Sequence, residues 1–155
     1  MNIQKGTVIA LCSVLEAALD PSKQISSAEV AGKYGVSPHH LAKVLRRLGR
    51  AGLLESSRGV GGGYRFSGNA KRITLMDVIA LFEDKIVEPD KQLEKKYATA
   101  VERAIAEVLV EIDETAKSVF NSITIATMIG LIKRQCLAEK RKLNSSDQVG
   151  GHREQ

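Results

Sequence analysis

Six side chains that can donate to bases or phosphates fall between residues 39 and 50: His39, His40, Lys43, Arg46, Arg47 and Arg50. Lysine and arginine neutralise backbone phosphate, and histidine and lysine can both donate to guanine edges. Another cation, Arg58, precedes a loop in which Gly59, Gly61, Gly62 and Gly63 leave the backbone free to turn sharply and approach another surface. An arginine at the base of such a loop suits a narrow minor groove, where the negative potential is strongest. Standing alone, the loop would equally be an ordinary hairpin turn with a surface arginine. Its place directly after two short helices favours the nucleic-acid reading.

Catalytic chemistry has little to stand on. The three histidines are His39, His40 and His152, so no nucleophile, base and orienter form a set. Neighbouring histidines on a helix point about 100° apart and hold a metal poorly. The glycine loop lacks the third glycine and following helix of a dinucleotide site, and no Gly-Lys-Ser/Thr phosphate loop occurs. An enzyme is not expected.

The elements that position these cations read as follows. Ser26 stands three residues before Glu29, the spacing of a capping box, and opens a helix whose inward residues are Val30 and Ala31. Ser27, at its start, joins the DNA-facing candidates. Gly35 suits the left-handed end of that helix, and Val36 pins the turn. Ser37 caps a second helix with Pro38 in its first position. Leu41, Val44, Leu45 and Leu48 recur at helical steps, so the cations share the other face. Gly52 ends this helix. Leu53–Ser56 and Tyr64–Phe66 pair as short strands around the glycine tip. The outline is a winged helix-turn-helix, with the second helix reading the major groove and the Arg58 wing the minor groove.

The expected fold is therefore mainly α with a small β-wing: a winged helix-turn-helix followed by a long C-terminal dimerisation helix. A first amphipathic helix spans residues 5–19, with Val8, Ile9, Leu11, Cys12, Leu15, Ala18 and Leu19 on its apolar side, and Asp20-Pro21-Ser22 stops it. Beyond the wing, Thr74 with Asp77 caps a helix ending near Asp84 or Lys85. A connector leads to a long helix over about Lys91–Ser118. Its stripe of Tyr97, Val101, Ile105, Val108 and Ile112 fits a helix–helix contact across a homodimer. Packing within its own domain is the alternative. Thr124 caps a last helix, and from Glu139 the polar chain reads as a flexible tail. The division is residues 1–85, 86–138 and 139–155.

Charge supports this assignment. Of the 155 residues, 43% are apolar and 26% charged, and the net charge is +5. Residues 1–72 carry eleven Lys/Arg against four Asp/Glu, net +7, while the remainder carries twelve against fourteen, net −2. The basic excess thus falls on the half that carries the helix pair. No apolar run approaches a membrane span and no signal peptide is visible, so no membrane partner is expected. Two cysteines, Cys12 and Cys136, cannot staple a scaffold, and a cytoplasmic setting is expected.

Four stretches carry a family resemblance: Val36 to Leu48, Ala51-Gly-Leu-Leu, Arg58-Gly-Val-Gly-Gly-Gly-Tyr64, and Ile73-Thr-Leu-Met-Asp-Val-Ile79. Together they resemble the Rrf-two (Rrf2) family of bacterial transcription regulators over roughly residues 3–135. The resemblance implies a homodimer with paired long helices, a recognition helix beginning near Ser37, and Arg58 in the minor groove of double-stranded DNA. His39, His40 and Lys43 match the base- and phosphate-facing helix start. Many members hold an iron–sulfur cluster on three cysteines between the capped helix and the middle of the long helix. Residues 83–120 here contain none, and Val8 stands where some members place an acidic ligand. The chain therefore resembles the cluster-free branch, and no cofactor is expected. The signal stays open between thiol redox at Cys12 or Cys136 and an unidentified small-molecule or protein effector. A winged module that binds protein instead of DNA, and repression against activation, also stay open, with repression favoured.

Overall fold

A computed structural model describes residues 3–57, 59, 62–83 and 99–149. Helix α1 spans Lys5–Leu19, α2 Ser27–Tyr34 and α3 Pro38–Arg50. Strands β1 (Leu54–Ser57) and β2 (Gly63–Phe66) follow, then α4 (Leu75–Ile79), α5 (Ala100–Ser122) and α6 (Ile125–Val149). The helix pair followed by a ribbon that the sequence implies is realised: six helices accompany one two-stranded antiparallel sheet among the described residues.

The core lies behind α3. Its Leu41, Val44, Leu45 and Leu48 are buried against Val14 and Ala17 of α1, Val30 and Ala31 of α2, Val78 and Ile79 of α4, and Ile125 of α6. The periodicity of α3 dictates this, since its apolar residues occupy one side of the helix. Gly35 ends α2 with φ of 60°, and Ser37 Oγ accepts from the His40 amide at 3.2 Å to start α3. Pro38 occupies the first helical position, as the sequence requires.

Several boundaries and faces differ from the sequence reading. Helix α1 buries Ile9, Ala10, Val14, Ala17 and Ala18, whereas Val8 is 45% exposed. The small alanines let α1 lie close to its neighbours, which turns Val8 outward. Ser26 makes no side-chain cap bond, so the Ser26–Glu29 capping box does not form; both residues are exposed to water. By contrast, Thr74 and Asp77 form theirs. Helix α4 stops at Ile79, several residues before Asp84, because the chain turns so that Glu83 can reach the start of α1. Thr7 Oγ1 and the Gln4 amide donate to its carboxylate at 2.5 and 2.7 Å.

The long helix begins at Ala100, later than Lys91, behind a capping box of Thr99 and Glu102, and continues to Ser122. Tyr97 lies outside the described residues. Helix α6 runs to Val149, so regular structure continues well past Glu139, where the sequence suggested a frayed tail. Its start is fastened by backbone bonds from Ile125 to Ile73 at 2.9 Å and from Ala126 to Ala70 at 2.8 Å. No helix among the described residues is long and apolar enough to cross a membrane.

Candidate nucleic-acid interface

At about 100° per residue, His39, Lys43, Arg46 and Arg50 project from α3 within about 60° of one another, directly opposite its buried leucines. All are exposed. His40 and Arg47 lie roughly 80–100° round from His39, on one flank. The cations that the sequence places on one face therefore separate into an outward stripe and an inner edge. The inner edge turns toward the protein. The His40 ring sits 3.8 Å from where a Cβ on Gly6 would stand, and the Arg47 guanidinium lies 5.1 Å from the Phe82 ring centre.

The ribbon stands beside the stripe. Leu54 pairs with Phe66, Glu55 with Arg65, Ser56 with Tyr64 and Ser57 with Gly63. Arg65 holds Glu55 across the strands at 2.8 Å, which pairs the acidic side chain of the two strands. The tip-side end of the ribbon is tied to the chain entering α2. Ile25 and Tyr64 exchange backbone bonds of 2.8 and 2.9 Å, and Ser57 Oγ donates to Gln24 Oε1 at 2.8 Å. At the tip, the Gly62 amide donates to the Gly59 carbonyl at 2.9 Å, and Gly59 adopts φ of 113°, open to glycine without strain. Arg58 and Gly61 lie outside the described residues.

Between α3 and the ribbon runs a cleft of about 970 Å³, lined by Ser26, Ser27, Arg46, Arg50, Ser57 and Tyr64 among others, and by one carboxylate, Glu55, which Arg65 pairs. Two guanidinium groups, several hydroxyls and the start of α2 thus share one concavity. Uncapped amides at a helix start favour anions. Ser26 leaves those of α2 without a side-chain acceptor.

Sequence reasoning missed two features. One is Glu83, which caps α1 from a distant part of the chain. The hydrogen bond from Thr7 leads in holding its carboxyl below the usual range, with burial opposing and Gln4 assisting. The other is Leu109, 56% exposed beside Val101, Ile105, Val108 and Ile112 on α5, which are 69, 57, 57 and 52% exposed. Leu109 fits the same helical spacing and was legible in principle. The stripe is left uncovered within the described chain; Ala106 alone on α5 is buried.

A family model described as Rrf2, iron-dependent transcriptional regulator, matches residues 3–130. The chain belongs to the Rrf2 family. BadM of Rhodopseudomonas palustris, described as an HTH-type transcriptional regulator, is 45% identical over 142 residues, covering 92% of this chain and 87% of that protein. The regulator NsrR of Shouchella clausii is 34% identical over 87 residues, 56% of this chain and 58% of that protein. The solved structure of CymR, the global cysteine regulator of B. subtilis, is 25% identical with a TM-score of 0.66, covering 84% of this chain and 98% of that one. The Rrf2 chain is accordingly a winged-helix, DNA-binding transcriptional regulator.

The iron in the family description can be tested on this chain's donors. Clusters are held by several thiolates, and the sequence holds only Cys12 and Cys136. Cys12 is half-buried on α1 and Cys136 exposed on α6. Burial pushes the Cys12 thiol up, a hydrogen bond with Tyr34 opposes, and the Glu16 carboxylate adds to the rise. Among the described residues no three His, Cys, Asp or Glu converge. This donor set does not fit a cysteine-held cluster.

Proposed function

We propose that the protein is a homodimeric, sequence-specific repressor that works without a bound cofactor. The observation that carries this reading is the outward stripe of His39, Lys43, Arg46 and Arg50 beside the cleft and wing. His39 and Lys43, at the start of α3, read base edges in the major groove. Arg46 and Arg50, with Ser27 and the open amides of α2, take the phosphate strand that passes through the cleft. Arg58, between β1 and the glycine tip, enters the adjoining minor groove. Phosphate contacts fix orientation and the base contacts specify.

Dimerisation rests on the exposed apolar stripe of α5. Isolated exposed aliphatic residues are ordinary, but a run of five on consecutive turns marks an interface. A second copy using the same stripe covers it symmetrically and pairs the two reading helices with a two-fold operator. Repression follows when such a dimer sits across promoter DNA.

The test is selection of bound duplexes from a random-sequence library by the full-length protein. An inverted repeat with half-site centres about 10 base pairs apart, or a multiple of that, is expected. Retention with no enriched sequence would overturn the reading.

A further inference from the structure

The inner edge of α3 forms a chain of contacts that the outward stripe does not use. His40 packs at Gly6, next to Thr7. Thr7 and Gln4 hold the carboxylate of Glu83. Phe82, its neighbour, is half-buried and carries the guanidinium of Arg47 on its face. The path therefore leaves α3 at His40 and returns to it two turns later at Arg47. It encloses the point where the chain leaves α4. Helix α4 packs against α5, which bears the apolar stripe.

We propose that Arg47 is a positioning residue for DNA reading: its stack on Phe82 sets the angle of the reading helix to the dimer axis and so the half-site spacing accepted. This rests on the dimeric reading above. A guanidinium over an aromatic face is held in one orientation, its flat side committed to the ring. Two copies related by a two-fold axis turn a small tilt of each reading helix into a change in the distance between half-sites. The stack, with the Glu83 anchor beside it, resists that tilt. Arg47 thus acts on specificity through Phe82 rather than through a base.

The experiment uses full-length wild type, Arg47→Met, Phe82→Leu and the double variant, each confirmed folded by its thermal melt. Duplexes are selected from a random library and the distribution of half-site spacings is read. Wild type should show one dominant spacing. Each single variant should recover the neighbouring spacings more often by a factor of roughly two to five, the worth of an exposed cation–π pair. The double variant should match the singles, because either change removes the same contact. The salt dependence of binding to the best site should not change in Arg47→Met. Spacing distributions identical to wild type would overturn the proposal. So would a loss of about one unit of salt slope per lost contact in Arg47→Met alone, which marks a phosphate contact. Unpaired half-sites selected by wild type would overturn the dimeric reading and this inference with it; paired sites with unaltered spacing in the variants overturn this inference alone.

Discussion

Replacing Gly63 by alanine should detach the wing from the body of the domain. A Cβ built on Gly63 lies 2.5 Å from the Ile25 carbonyl oxygen and 3.2 Å from its carbon. Ordinary contact begins near 3.4 Å, so the strand must retreat by about 0.9 Å. Both Ile25–Tyr64 bonds, 2.8 and 2.9 Å, then stretch beyond about 3.5 Å, where a hydrogen bond is lost. Each is worth about 1 kcal/mol net, so the loss is about 2 kcal/mol. Urea unfolding followed by far-UV circular dichroism should show the midpoint falling by about 1 M, for a slope near 2 kcal/mol/M. DNA affinity should fall as well, because the ribbon no longer stands beside α3. Gly49→Ala is the control: its nearest neighbour, the Leu54 carbonyl oxygen, is 3.7 Å from the new Cβ, and helical alanine should stabilise by about 0.5–1 kcal/mol. A Gly63→Ala protein within about 0.5 kcal/mol of wild type would refute the clash argument, since that is less than one hydrogen bond.

Three further outcomes are expected. Glu83→Gln, which keeps the accepting oxygen but loses its charge, should cost about 1–2 kcal/mol at neutral pH, the excess of a charged over a neutral acceptor. Because folding lowers the Glu83 pKa from 4.5, its contribution is present above that value and fades as pH falls through the folded pKa; the variant's penalty measured by urea unfolding should shrink accordingly, and a constant penalty would contradict the assignment. Ile105→Asp with Val108→Asp should weaken self-association by more than about 100-fold in sedimentation, since burying two aliphatic side chains is worth at least about 3 kcal/mol; unaltered association would place the interface elsewhere. Cys136 should react with a maleimide at least about ten times faster than Cys12 at neutral pH, because thiolate character and access govern the rate; equal rates by mass spectrometry would contradict the half-buried placement of Cys12.

The helix pair was legible because its signals are local. Gly35, Ser37 and Pro38 punctuate it, and the α3 leucines reveal their face by spacing alone. The ribbon was legible to within a residue, since glycine marks its tip and Leu54 and Phe66 its strands. What escaped depends on contacts between distant parts of the chain. Spacing could not tell that Glu83 turns back to cap α1, that Ile25 pairs with Tyr64, or that Arg47 finds Phe82. For the same reason α1, apolar on most sides, did not disclose that Val8 faces out. The α6 extension was hidden by composition: polar residues form a helix as readily as a tail when no glycine or proline interrupts them, and none stands between Leu131 and Val149.

The most direct measurement is the salt dependence of DNA affinity for wild type and for Lys43→Ala, Arg46→Ala and Arg50→Ala. Each phosphate contact contributes about 0.9 to the slope of log K against log salt, and a dimer uses each residue twice. Arg46→Ala and Arg50→Ala should each flatten the slope by about 1.8, on that basis, and weaken binding to all sequences alike. Lys43→Ala should relax sequence preference as well. Slopes unchanged in all three folded variants would mean that the outward face of α3 does not meet DNA.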